Sequence, residues 1–293
     1  MSMGYQFITA ASVPHALELL ERYGQDARVI CGGTDLMVRL HLKRLPECVF
    51  INVRNLEELR YIREEDGLVC IGAGTTLSTL ENSLLLLGKA PALFQAAQVF
   101  ADPNVRHSAT VGGNIGNASP SADSAPPLLA FDGQVVVARR EGRRVLPIRE
   151  FFTGVGRTAL EPGELVTEVR FKPNPDSAFV KVGLRNAMAI SVVNIAASVD
   201  LAQDGTMKDV RIAVGAVAPT PVRAVCAENC LRGKRPEEVV IRQAMDAIQT
   251  DIKPITDVRA SERYRRIVAE NMMRRVVLKA CGICENEGVR VNE

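Results

Sequence analysis

The sequence predicts an α+β chain. Three observations carry that reading. Helix–strand alternation fills residues 1–55, strands and short helices flank a long turn-rich stretch in 56–173, and three β-rich runs precede two helices in 178–286. These spans are the expected domains: an N-terminal α/β lobe, a second α+β lobe, and a C-terminal domain built on a three-stranded antiparallel sheet with helices.

Each element has a local cause. Ser12 caps a helix that places Val13, Ala16, Leu17 and Leu20 on one face, and Gly24 ends it. Residues 27–31 form a short apolar run that breaks at Gly32-Gly33-Thr34-Asp35, and 49–53 is a second strand. Asp66-Gly67 is a hairpin turn signal ahead of a strand at 68–71, and Pro91 opens a helix that runs to Phe100. From Ala101 to Pro127 small and turn-forming residues dominate, so no regular helix is expected there. Strands resume at 134–138 and 165–171, and Lys172-Pro-Asn-Pro-Asp-Ser177 is the linker. The C-terminal sheet takes 178–184, 192–201 and 210–217, and the last two helices take 236–249 and 261–281.

Composition narrows the function. The chain has 293 residues, 47% hydrophobic and 24% charged, which excludes a disordered chain, a collagen and a coiled coil. A net charge of +2, only 4% aromatic residues and no Trp give no basis for binding nucleic acid. Apolar runs such as 84–87 fall far short of the roughly 18 residues a membrane span requires. The first residues, MSMGYQFITAASVPHAL, show neither the basic nor the apolar region of a secretory leader. The seven scattered Cys fit reduced thiols, so a cytoplasmic location is expected.

Four glycine-rich sites compete for a ligand. Gly72-Ala-Gly74-Thr-Thr-Leu77 lacks the third glycine and the acidic residue of a dinucleotide fingerprint. Gly154-Val-Gly156-Arg-Thr-Ala159 is followed by Pro162-Gly163, which breaks the helix that fingerprint needs. Both are tight turns. The sequence contains no P-loop motif and no nucleophile elbow. The other two sites form a pair: Arg28-Val-Ile-Cys-Gly-Gly-Thr-Asp-Leu36 and Thr110-Val-Gly-Gly-Asn-Ile-Gly-Asn117. Each reads as an apolar strand running into consecutive glycines followed by a small polar residue. Successive amides there can point into one anion-binding concavity, and the missing Cβ atoms let a diphosphate approach the main chain. Thr34, Thr110 and Asn114 would add side-chain donors. The pair predicts a clamp on a dinucleotide.

The block Phe100-Ala-Asp-Pro-Asn-Val-Arg-His-Ser-Ala-Thr-Val-Gly-Gly-Asn-Ile-Gly-Asn-Ala-Ser-Pro-Ser-Ala-Asp123 resembles the FAD signature of the molybdenum hydroxylase family. That family includes xanthine dehydrogenase, nicotinate dehydrogenase and aerobic carbon monoxide dehydrogenase. The Cys31-Gly-Gly-Thr-Asp-Leu36 loop is similar to the family's first FAD loop. Phe179-Val-Lys-Val-Gly-Leu-Arg-Asn-Ala-Met-Ala-Ile190 is similar to the start of its C-terminal flavoprotein domain. The resemblance spans roughly residues 5–285. It implies a two-lobed, PCMH-type FAD-binding domain followed by a carbon monoxide dehydrogenase flavoprotein-like C-terminal domain.

The resemblance also implies roles. Val29, Ile30, Cys31, Gly32, Gly33, Thr34, Asp35 and Leu36 would wrap the diphosphate, with Gly32, Gly33 and Thr34 donating. Thr110, Val111, Gly112, Gly113 and Asn114 would form the second diphosphate loop, with Val105, Gly116 and Asn117 beside it. Phe100 would pack near the flavin or its chain, Asp123 would accept from a cofactor hydroxyl, and Val166 would line the adenine or flavin wall. Lys181 would lie near the isoalloxazine, where a cation favours the anionic reduced flavin. Phe100 and Val166 as plain core, and Lys181 as a solvated charge, are the alternatives.

Departures matter as well. Ala122 stands where some relatives carry Ser. No Cys-bearing insertion is visible, so no 4Fe–4S cluster is expected in this chain. Only the flavin part of the family's fused enzymes is present, as in a separate medium subunit. The implied partners are a molybdopterin-binding large subunit and a small subunit with 2Fe–2S clusters, with NAD(P) or another molecule as electron acceptor. A stand-alone FAD-dependent reductase or oxidase is the alternative; it would need an acid–base residue beside the flavin, and none is evident. A third reading, a non-catalytic assembly subunit without FAD, sits poorly with the intact glycine pairs.

Other features carry less. Cys226, Cys230, Cys281 and Cys284 have a loose spacing for a metal site, and none is expected. His107 lies inside the FAD block, with a plain loop position equally open. The basic run Arg263, Arg265, Arg266, Arg274 and Arg275 is expected on a solvated helix face, with a partner contact as the alternative.

Overall fold

The computed structural model describes residues 4–185 and 188–283. Cys284, Asn186, Ala187 and the expected domain limits at 1 and 286 lie outside them.

The first lobe comprises β1 (Gln6–Thr9), α1 (Val13–Tyr23), β2 (Ala27–Ile30), α2 (Leu36–His41) and β3 (Val49–Asn52). Ser12 caps α1 by accepting from the His15 amide at 3.2 Å, and the expected face of α1 is buried. The strands lie in the order β1-β3-β2, and both pairings are parallel. The segments that follow β2 and β3 therefore leave the sheet on the same side. β1 escaped the sequence reading because its residues are largely exposed and show no apolar run.

The second lobe begins with β4 (Ile62–Glu65) and β5 (Leu68–Gly72). Asp66 and Gly67 both have positive φ, +51° and +73°, as a two-residue hairpin turn requires. Helices α3 (Leu77–Glu81), α4 (Leu84–Lys89), α5 (Pro91–Gln98), α6 (Pro103–Ser108), α7 (Val111–Gly116) and α8 (Ala125–Ala130) follow. Then come β6 (Gln134–Arg139), β7 (Gly142–Pro147), α9 (Ile148–Phe151), β8 (Phe152–Gly154), β9 (Arg157–Thr158) and β10 (Leu165–Phe171). The main sheet is antiparallel, in the order β4-β5-β10-β6-β7. The Gly154–Gly156 motif is the β8–β9 hairpin.

The stretch from Ala101 to Pro127 is helical after all, in three short pieces. Caps explain it. Asp102 accepts from the amides of Asn104 and Val105 at 2.9 and 3.1 Å, and Thr110 accepts from Gly113 at 3.1 Å. Prolines occupy the first turns of α6 and α8.

The C-terminal domain holds β11 (Ser177–Gly183), β12 (Ser191–Leu201), β13 (Met207–Gly215), β14 (Val222–Arg223), α10 (Val225–Leu231), α11 (Glu238–Asp251) and α12 (Glu262–Ala280). The sheet has four strands rather than three, in sequential order, and a third helix, α10, precedes the expected two. Both faces are covered. Phe179, Ala196 and Ala213 join the core of the second lobe, while Ile195, Ala197, Ile212 and Val214 pack against the domain's own helices. Double coverage is why β12 is apolar along most of its length.

One residue of the basic run is not solvated. Arg265 is buried and donates to the carbonyls of Val192 and Ala216 at 2.6 and 2.9 Å and to Asp257 at 2.8 Å. Burial disfavours the Asp257 carboxylate, but the Arg259 and Ala260 amides and the Arg265 guanidinium outweigh that and hold its pKa at about 2, below the usual 3.8. A depressed carboxyl stabilises the fold above its ordinary pKa and loses that contribution as pH falls through the folded value. Asp257→Asn should therefore be less stable than the unmodified chain near neutral pH, with the gap closing between about pH 4 and pH 2. Urea unfolding followed by circular dichroism across that range checks it; a gap that does not change with pH would refute it.

Candidate functional site

The loop after β2 touches the segment that leads into α7. Built on Gly32, a Cβ would lie 2.0 Å from the Ser108 carbonyl oxygen and 3.0 Å from the Ala109 Cα, so only glycine permits the contact. Gly33 has φ +70° and turns the chain toward α2, whose first turn closes when the Met37 amide donates to Gly33 at 2.9 Å. The residue before Gly32, Cys31, faces Thr110. The Thr110 hydroxyl favours the thiolate, but burial dominates and pushes the Cys31 thiol above its ordinary pKa. The two glycine-rich segments thus meet.

Their amides do different things. Among the described residues, the N–H groups of Gly32, Gly33, Thr34 and Asp35 find no protein acceptor. Four successive donors without acceptors form the anion-binding nest expected of this loop. The second segment is a correction. Val111 donates to Thr75 at 3.0 Å, Gly112 to Ala73 at 2.9 Å, Gly113 to the Thr110 Oγ1 at 3.1 Å and Asn114 to the Thr110 carbonyl at 2.9 Å. These amides point into the protein because Thr110 caps α7 and the helix start packs on β5's exit, where a Cβ on Gly112 would meet Ala73 at 2.6 Å. These four amides do not point together into the one concavity that the glycine pair predicts. What α7 presents instead is a low surface: Gly113 and Gly116 are exposed, and Asn114 and Asn117 are half-buried. The Asn114 Oδ1 accepts from the Ser124 hydroxyl at 2.5 Å, which leaves its Nδ2 as a donor.

The apolar residues of the expected set also pack within the protein. Ile30 is buried in a small cluster against which Leu36 packs, and Val29 lies against the core of the first lobe. Val166 is buried in the second lobe's core, and Phe100 and Val105 lie half-buried at its edge.

Asp123 and Lys181 find each other. Lys181 Nζ donates to Asp123 Oδ2 at 2.6 Å and to the Val99 carbonyl at 3.1 Å. Asp123 Oδ1 accepts from the Ser191 hydroxyl at 2.6 Å and from Asn194 Nδ2 at 2.7 Å. The side chains of Lys181 and Asp123 are 9% and 6% exposed, so Lys181 is not a solvated charge. Three protein donors thus hold the carboxylate in place. Ser191 and Asn194 were missed because their role depends on β12 crossing behind the 118–123 segment.

A cleft of about 340 Å³ opens beside Cys31 and Thr110. Arg54, Arg60, Tyr61, Thr75, Thr76, His107 and Ser108 contribute to its wall. Arg54 was missed as well, although parallel pairing of β2 and β3 brings both following loops to one side of the sheet. Among the described residues no group of three His, Cys, Asp or Glu side chains is placed to hold a metal ion, and no helix is long and apolar enough to cross a membrane.

Removing one member of a buried ion pair leaves the other charge uncompensated, at a cost of about 3–5 kcal/mol. Lys181→Met should therefore lower unfolding free energy by roughly that amount. Lys181→Met in an Asp123→Asn background should lose much less, and urea titrations of the four proteins check it.

Comparison with known proteins gives this geometry a family. Residues 3–174 match the model described as the FAD binding domain in molybdopterin dehydrogenase, and residues 178–280 match the CO dehydrogenase flavoprotein C-terminal domain. The xanthine dehydrogenase FAD-binding subunit of Escherichia coli is 34% identical over 276 residues, covering 92% of this chain and 94% of that protein. The carbon monoxide dehydrogenase medium chain of Hydrogenophaga pseudoflava is 30% identical, covering 96% and 98%. A solved structure of carbon monoxide dehydrogenase from that organism, lacking the Mo-pyranopterin moiety of its molybdenum cofactor, superposes with a TM-score of 0.91 at 30% identity, over 97% of this chain and all of that one. The chain belongs to the FAD-binding subunits of the molybdopterin dehydrogenases, and is an oxidoreductase flavoprotein subunit of that family.

Proposed function

We propose that this chain is the electron-transfer subunit of a multi-subunit molybdenum hydroxylase, working beside a molybdopterin-binding large subunit and a small 2Fe–2S subunit. When bound, FAD supplies reversible uptake of electrons, here from the 2Fe–2S clusters to NAD(P)+ or another acceptor during oxidation of a heterocycle or aldehyde. The chain's own residues bind and orient.

One observation carries the reading: among the described residues, the four consecutive amides from Gly32 to Asp35 have no protein acceptor. A diphosphate offers acceptors only, and successive amides open at the surface of the loop can donate to it. The residues present therefore fit the cofactor. Thr34, exposed at the rim, adds a hydroxyl donor, and Asn114 Nδ2 adds another on the α7 side. The glycines of α7 let a planar group approach closely. The side chains argue for electron transfer rather than proton chemistry, since Asp123 is committed to Lys181, Ser191 and Asn194. Unpaired Cys31, Cys48, Cys70, Cys226, Cys230 and Cys281 support a reducing, cytoplasmic setting.

The purified chain should carry stoichiometric flavin and should co-purify with iron- and molybdenum-containing subunits. Gly32→Ala, which drives a methyl into the Ser108 carbonyl, should weaken FAD binding at least about tenfold, or 1.4 kcal/mol. Flavin absorbance after gel filtration measures it. Rapid substrate oxidation by the chain without partners, or full flavin content in Gly32→Ala, would overturn the reading.

A further inference from the structure

The cleft beside the nest holds two guanidiniums that the glycine motifs do not account for. Arg54 lies two residues past β3, and Arg60 two residues before β4; both line the wall shared with Cys31, Ser108 and Thr110. Both act electrostatically on the Cys31 thiol, so their charges reach the residue that opens the Gly32–Asp35 loop. Arg60 is held in place. It donates to the Arg54 carbonyl, and to Glu57 at 2.9 Å. Arg54 is exposed, and among the described residues its guanidinium has no partner. Ser108 presses its carbonyl against Gly32, while its hydroxyl is unpaired among the same residues.

Among the described residues Arg54 thus offers donors and a positive charge without a protein acceptor, and it adjoins the Gly32–Asp35 amides, which have none either. We propose that Arg54, supported by Arg60, is a cofactor-binding residue that takes the negative charge of the FAD diphosphate together with the Gly32–Asp35 amides. The proposal rests on the FAD reading and adds a second wall to that site. Amides alone supply partial charges. A guanidinium supplies a full charge and a planar fork matched to phosphate oxygens. Because Arg54 is exposed and makes no side-chain bond within the described protein, its role is not structural, and its contribution is screened by salt.

The test is FAD titration into the full-length chain stripped of flavin, followed by flavin fluorescence at low and high ionic strength. At low salt Arg54→Gln should bind FAD about tenfold more weakly, the scale of a lost charge-assisted hydrogen bond. Arg54→Gln with Arg60→Gln should be weaker still, and Arg54→Lys, which keeps the charge, should fall between Arg54→Gln and the unmodified chain. The difference should shrink at high salt. Arg143→Gln, on the exposed face of β7, removes the same net charge and should bind normally. Circular dichroism shows whether each variant is folded. If both glutamine variants bind FAD like the unmodified chain at low salt, or if Arg143→Gln weakens binding equally, the assignment is overturned and the FAD reading stands. If the unmodified chain takes up no FAD, the FAD reading itself fails.

Discussion

Gly32 lies against the Ser108–Ala109 backbone so tightly that an added Cβ would sit 2.0 Å from a carbonyl oxygen. The rest of the site depends on that contact. It joins the first lobe to the second at a point where neither contributes a side chain, and it places the turn from β2 into α2 alongside the cleft. The amides of that turn are left without acceptors because the loop is held from behind, by backbone packing, and not through its own hydrogen bonds. A loop held by its donors would have none to offer. The glycine therefore does two things: it permits the approach of the lobes, and it frees the turn to bind an anion.

A second constraint joins the C-terminal domain to the other two. Asp123 lies at the end of the signature block, and its three donors, Lys181, Ser191 and Asn194, come from β11 and β12. The adjoining backbone is tied as well, since the Ala216 amide donates to the Pro120 carbonyl at 2.7 Å. Gly215 belongs to the same junction, because a Cβ there would meet Asn194 Oδ1 at 2.1 Å. A buried ion pair contributes little net stability compared with apolar packing, but it strongly penalises misplacement of either partner. Its value here is registration. The Val99 carbonyl, one residue before Phe100, is fixed by the same ammonium. The Lys181 ammonium is thereby paired with Asp123 at 2.6 Å.

The legible part of the fold was the part set by local chemistry. The cap and apolar face of α1, the Asp66-Gly67 hairpin and Leu165–Phe171 follow from residues close in sequence. The meeting of the two glycine segments was legible too, because consecutive glycines permit a close approach of main chain to main chain. Three things were hidden, each for a tertiary reason. The direction of the Gly112 amide depends on Ala73, far away in the chain. The helices of the 101–127 stretch are short, and side-chain caps and packing hold them where helix propensity does not. The extra strand β14 is two residues long and is recognisable only by its pairing with β13.

These differences show why two similar motifs came to do unlike work. Both have adjacent glycines, but in the first loop no structure stands behind the amides except another backbone's carbonyl face. In the second, the segment leaving β5 and Thr110 supply acceptors, so the same residue type closes a helix onto the protein. Composition alone cannot separate the cases, since glycine permits close approach equally to a ligand and to a neighbouring chain segment. What separates them is the supply of acceptors. A main-chain donor is paired wherever the fold brings an acceptor near, and the rare unpaired run, as at Gly32–Asp35, marks where the fold has reserved donors for something outside itself. An exposed guanidinium beside such a run follows the same logic, which is why Arg54 belongs with the nest although it carries no motif.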